Sequence, residues 1–261
     1  MKNPTREFAR RVYQLHRRAL LKASFLAAVP LGVLNCVKVF LSASGLIPSW
    51  AASLAYTAAA CLLYPLTLSF TRTCVRTLLE ADPAVQDPFY DWKDGRLAAA
   101  WMLGVLLQGP VLVIGAGADA LDNLLPSMTG PWMWISTLVL LVAAAGLFWF
   151  TLSVFLVPYL YIGKAAPLPS LPGESWNRMR GCRLSLLAFS VPLYLLFLIP
   201  FLLFSWPGNL LAANLAPLSA ALVRTAAAFL SGVFQIAVNP YIVLALAAFA
   251  EPLVSAKHGH R

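Results

Sequence analysis

From residue 132 to residue 163 the chain carries not one charged side chain. A helix needs about 20 apolar residues to cross the roughly 30 Å hydrocarbon core of a bilayer. This run exceeds that length, so as a membrane span it must tilt, kink or protrude. Five more stretches are long and apolar enough to cross: residues 19–41 (with Lys22 and Lys38 near the ends), 50–71, 97–118, 184–206 and 225–250. Composition agrees. The 261 residues are 60% hydrophobic and 11% charged, against about 25% charged in a soluble domain. A water-soluble core cannot hide that much apolar surface. The sequence therefore predicts an all-α integral membrane protein of six transmembrane helices, with no room for a second globular domain.

Orientation follows from where the arginines and lysines stand. The N-terminal segment holds Lys2, Arg6, Arg10, Arg11, Arg17 and Arg18. The second connection holds Arg72, Arg76, Lys93 and Arg96, the fourth Lys164, Arg178, Arg180 and Arg183, and the tail Lys257 and Arg261. The first connection is uncharged, the third has only Asp119 and Asp122, and the fifth only Arg224 at its end. Every crossing fits one topology, with both termini cytoplasmic. The expected division is a cytoplasmic amphipathic basic segment at 1–18, a six-helix membrane domain at 19–250, and a cytoplasmic tail at 251–261. The net charge of +9 is then a positive-inside signature, and no hydrophilic segment is long enough to read nucleic acid. A cleaved signal peptide ending near Ser42-Ala43-Ser44 is the rival reading of the N-terminus. The long basic segment and Lys38 just before the would-be site favour a retained helix. Within 1–18, Phe8, Val12, Leu15 and Ala19 recur at helical spacing among the arginines, which predicts a surface helix on the cytoplasmic face.

The chain also repeats. A shift of 84 residues lays Thr67-Leu68-Ser69 on Thr151-Leu152-Ser153, Ala81 and Pro83 on Ala165 and Pro167, Pro88 on Pro172, Trp92 on Trp176 and Arg96 on Arg180. Between residues 59 and 96 there are 11 identities in 38 positions, and the Pro, Trp and Arg matches lie in polar connections. A third, weaker copy precedes the first span. The pattern of Pro, aromatic and Arg reads Pro4, Tyr13, Arg17; Pro83, Trp92, Arg96; and Pro167, Trp176, Arg180. This predicts parallel two-helix repeats, each outgoing span preceded by an interfacial aromatic anchor (Tyr13, Trp92, Trp176) and an arginine one turn later. Arg17, Arg96 and Arg180 are the candidates for an anion or lipid headgroup, because a planar guanidinium binds phosphate with two parallel hydrogen bonds.

No catalytic set emerges. The histidines, His16, His258 and His260, lie near the termini, and the cysteines form no C-x-x-C pair, so neither a metal nor another cofactor is expected. Gly115-x-Gly117-x-x-Ala120 resembles a dinucleotide fingerprint, but it ends a spanning helix and no βαβ unit follows. The acidic patch Glu80, Asp82, Asp87, Asp91 and Asp94 has no calcium-loop spacing and is positioned to neutralise nearby arginines. Gln108, Gln235 and Asn239, the intramembrane polar candidates, suit helix–helix hydrogen bonding. Prolines fall inside every span and free backbone carbonyls there.

Pro158-Tyr159 at the end of an aliphatic helix, a short basic connection, and Glu174-Ser175-Trp176-Asn177-Arg178-Met179-Arg180-Gly181 before the next helix form a recurring pattern. It resembles a broad group of uncharacterised bacterial six-helix inner-membrane proteins, similar to the membrane domain attached to some glycerophosphodiester phosphodiesterases. The resemblance implies a bacterial cytoplasmic membrane. It carries over no catalytic residue, because the soluble phosphodiesterase domain has no counterpart here. The expected role is non-enzymatic: a transport or lipid-handling module with a cytoplasmic-side anion or headgroup site and membrane lipids, anionic ones included, as partners. The alternative is an assembly or accessory subunit binding another membrane protein or a second copy of itself.

Overall fold

The computed structural model describes residues 4–79, 89–93, 95–124, 131–163 and 167–255. Among these, all regular structure is helical. The elements are α1 (Pro4–Ala43), α2 (Ser49–Leu62), α3 (Tyr64–Leu79), α4 (Tyr90–Lys93), α5 (Leu97–Leu124), α6 (Pro131–Ser153), α7 (Val157–Ile162), α8 (Leu171–Arg178), α9 (Arg183–Pro200), α10 (Trp206–Ala212) and α11 (Pro217–Ser255). Among the described residues, four helical stretches are long and apolar enough to cross a membrane by length and composition. The bent pair α2–α3 makes up to five.

Prolines set many of the boundaries. Pro131 and Pro217 open α6 and α11, and Pro158, Pro172 and Pro207 sit in first turns. A missing N–H costs nothing there, and the fixed φ suits the helix. Pro65 likewise falls in the first turn of α3, so the second apolar stretch bends by 50° at Leu63 rather than kinking gently. The break expected in the charge-free fourth stretch lies between Ser153 and Val157, just before Pro158. Pro30, Pro110, Pro192 and Pro240 stay inside helices. The N-terminal amphipathic segment is continuous with the first apolar stretch as one 40-residue helix, bent at His16 (φ −110°, ψ 20°).

α1 and α11, the two longest helices, pack along each other, and α3 fits between them. α2 lies on α5. That contact is close because residue 104 is glycine: a Cβ there would stand 2.6 Å from Tyr64 Cβ and 2.9 Å from the Cys61 carbonyl oxygen.

Burial is uneven along the helices. Leu20, Leu68, Leu103, Leu156, Leu160, Leu171, Met179 and Leu244 are fully buried. They come from α1, α3, the start of α5, the region from the α6–α7 break to the turn after α8, and the second half of α11. Elsewhere apolar side chains are uncovered. On α6, Trp134, Ile135, Leu138, Val139, Leu141, Val142, Phe148 and Trp149 are all exposed. A helix apolar all round is stable only in an apolar surrounding, which is compatible with membrane insertion.

Candidate functional site

Each interior proline of a helix leaves the carbonyl four residues earlier without its N–H partner. In an apolar surrounding an unmet carbonyl is costly, so another group must supply a donor. Pro240 frees the Ile236 carbonyl, and Ser24 of α1 donates to it at 3.0 Å. The Tyr13 hydroxyl approaches the next carbonyl, Ala237, at 3.4 Å, with its ring edge-on to Tyr241. Pro192 frees the Ala188 carbonyl. Arg6 donates to it at 3.3 Å and to Phe189 at 2.7 Å, with its guanidinium 5.0 Å from the Phe189 ring centroid. At the α2–α3 bend, Leu66 N–H turns to Leu63, and the orphaned Leu62 carbonyl accepts from the Trp101 indole at 3.0 Å. Across the α6–α7 break, the buried Ser175 hydroxyl donates to Ser153 O at 2.8 Å and accepts from Leu156 N–H at 3.2 Å. Replacing Ser24 by alanine strands the Ile236 carbonyl and is expected to cost about 1–3 kcal/mol. Thermal unfolding of the detergent-solubilised protein reads this, and an unchanged midpoint would mean that the carbonyl finds another donor.

Arginines make further contacts between the helices. Arg178 pairs with Glu174 at 2.9 Å and donates to Leu253 O and Val254 O at 2.9 and 2.7 Å. These carbonyls belong to the last turn of α11, where a cation also meets the negative end of the helix dipole. Arg183 lies between two indoles, 5.0 Å from Trp149 and 4.6 Å from Trp176. Arg72 and Asp91 form an ion pair at 3.1 Å, with side chains only 7% and 0% exposed, and Tyr90 covers the guanidinium at 4.2 Å. Arg72 Nη1 and Asp91 Oδ2 are buried without a partner among the described residues, so the pair is incompletely satisfied.

The residues singled out from sequence distribute differently. Arg17 is exposed just past the α1 bend, Arg180 is exposed in the turn between α8 and α9, and Arg96 is half-buried before α5. Tyr13 packs edge-on to Tyr241 of α11, and its hydroxyl donates to Ala237 O. Trp176 is 41% exposed, and the arginine stacked on it is Arg183. The Trp92 side chain lies outside what the structure describes, as do Glu80, Asp82, Asp87, Asp94, His258, His260, Lys257 and the Asp119 and Asp122 side chains. Gln108 and Asn239 are half-buried, each close before an interior proline, and Gln235 is exposed. The space between α1 and α3, lined by Ala23, Ala27, Leu66, Ser69, Phe70 and Thr73 among others, has a volume of about 10 Å³. It has room for one water and not for a substrate.

Sequence reasoning missed Arg6, Arg178 and Arg183 as braces. The Glu174–Arg178 spacing of four was readable, and so was the orphaned carbonyl created by Pro192. Which donor would reach that carbonyl was not. Arginines with exposed side chains, and so accessible to an external anion, include Arg10, Arg11, Arg17, Arg18 and Arg180. No protein-family model, curated protein or solved structure matches the chain.

Proposed function

We propose that the chain is a six-span membrane protein with both termini cytoplasmic, whose cytoplasmic end handles anionic lipid headgroups without catalysing a reaction. The carrying observation is the bracing by Arg6 and Arg178. Arg6 holds the start of α1 within six residues of the start of α9. Arg178 holds α8 to the end of α11. The N-terminal segment, the fourth connection and the C-terminal end thus share one end of the bundle, as a positive-inside arrangement requires. α5, 28 residues long, supplies the sixth span.

The two-helix repeat draws support from the connections. α4 and α8 are both short helices followed by a glycine of positive φ, Gly95 (68°) and Gly181 (87°), which stand two residues out of the 84-residue register, and α5 and α9 each begin two residues after them. The breaks before Pro65 and Pro158 are further out of register with an 84-residue shift, so the spans themselves lend the repeat less support.

Two experiments test the reading. Single cysteines at Ser170 and Asn209 should react with an impermeant maleimide from opposite sides of the membrane, Asn209 from outside. Reaction of position 170 from outside would overturn the topology. For the headgroup site, Arg96→Lys with Arg180→Lys keeps the charge and removes the planar fork. Mass spectrometry of the purified protein should then show less co-purified anionic lipid. An unchanged lipid complement would reduce these arginines to topology determinants. The uncovered faces of α6 favour a second reading, an accessory subunit that buries them against another membrane protein.

A further inference from the structure

The first segment of α1, before the bend at His16, has two faces of different character. Arg6, Ala9 and Tyr13, spaced at three and four residues, form the underside. Arg6 donates to Phe189, Ala9 is fully buried, and Tyr13 reaches Ala237. The outer side carries Phe8 and Leu15, 50% and 78% exposed, two turns apart on one stripe. Exposed Arg11 flanks that stripe, exposed Arg10 stands on the Gln14 side of the helix, and exposed Arg17 and Arg18 follow just past the bend. Large apolar groups left uncovered by protein near the guanidinium groups of Arg11, Arg17 and Arg18 need a partner that is apolar inside and negative at its surface. Past His16 the same helix continues into the apolar stretch 19–41, which tethers this face at the level where such a surface lies.

We propose that the outer face of residues 4–18 docks on the anionic leaflet of the membrane that α1 crosses, with Phe8 and Leu15 inserted among the acyl chains and Arg11, Arg17 and Arg18 on lipid phosphates. This rests on the reading that residues 19–41 span the bilayer, and it concerns the leaflet as a surface rather than a bound headgroup at Arg96 and Arg180. Interfacial helices bind in this way, with the apolar face at the headgroup–acyl boundary and basic residues drawn to anionic lipid. Near such a surface each arginine raises the docked population by roughly fivefold.

The test uses the full chain with Cys36 and Cys182 replaced by serine and the buried Cys61 and Cys74 retained. A nitroxide is attached through Leu15→Cys, Gln14→Cys or Val33→Cys, and the protein is reconstituted in phosphatidylcholine vesicles with or without phosphatidylglycerol. In the mixed vesicles the label at position 15 should collide several-fold more with oxygen, relative to an aqueous nickel chelate, than the label at 14. The difference should shrink in phosphatidylcholine alone, and again when Arg11, Arg17 and Arg18 are replaced by glutamine. If positions 14 and 15 are equally water-accessible in mixed vesicles while position 33 is shielded, the docking proposal is overturned and the spanning reading stands. If position 33 is itself water-accessible, both fall. Shielding of position 15 in native membranes but not in vesicles would assign the face to a protein partner and overturn the lipid assignment.

Discussion

Replacing Asp91 by alanine is expected to destabilise the protein by about 3–5 kcal/mol, because it strands the Arg72 guanidinium in a site that excludes water. Arg72 is 7% exposed and its hydrogen-bonded partner is Asp91 at 3.1 Å. Tyr90 at 4.2 Å softens the loss through its ring face and does not replace a carboxylate. The double variant Arg72→Met with Asp91→Leu separates two explanations. Burying an ion pair already costs desolvation of both charges, and among the described residues this one leaves Nη1 and Oδ2 unmet. An apolar pair of similar volume should therefore recover most of the loss and lie near or above the parent. Thermal unfolding in detergent measures both. If Asp91→Ala stays within about 1 kcal/mol of the parent, the pair behaves as an exposed one, and water reaches the α3–α4 contact after all.

A second large effect is expected at Gly104. Its added Cβ meets Tyr64 Cβ at 2.6 Å and the Cys61 carbonyl oxygen at 2.9 Å. Neither is the end of a flexible side chain, so α5 must move away from the α2–α3 bend. That displaces the Trp101 indole from the Leu62 carbonyl, where it donates at 3.0 Å. Gly104→Ala should cost about 1–3 kcal/mol from overpacking, and Gly104→Val more. Gly146 is the internal control. It is also helical, and a Cβ there meets nothing within 4 Å. Gly146→Ala should stabilise by roughly 0.5–1 kcal/mol through helix propensity alone. Equal effects at the two positions would mean that the close approach of α5 to α2 is not a packing constraint.

Much of the architecture could be read from the chain because its causes are local. Long apolar runs favour helices, and among the described residues four helical stretches, five with the bent α2–α3 pair, are long and apolar enough to cross a membrane. The break before Pro158 and the amphipathic start of α1 followed from the same kind of reasoning, since proline geometry and helical periodicity act within a few residues. The repeat spacing also lies in the sequence itself, as do the counts of basic residues on alternate connections.

Tertiary structure alone decided which polar groups meet. Nothing near Pro192 in sequence announces Arg6, which reaches its carbonyl from 182 residues away. The same holds for Ser24 at Ile236 and Trp101 at Leu62. A freed carbonyl needs some donor in an apolar surrounding, and that need can be seen beforehand. The identity of the donor depends on which helix packs against the break. Arg17, Arg96 and Arg180 stood out by their common spacing, yet spacing does not say which side chain will be covered. Arg72 and Asp91 became the buried pair because the middle of α3 packs against α4, and Arg183 took the place between two indoles because α6, α8 and α9 converge on it. The sequence determined that helices would form and which ends would be basic. Packing decided which of those basic residues brace the bundle and which remain exposed to an external anion.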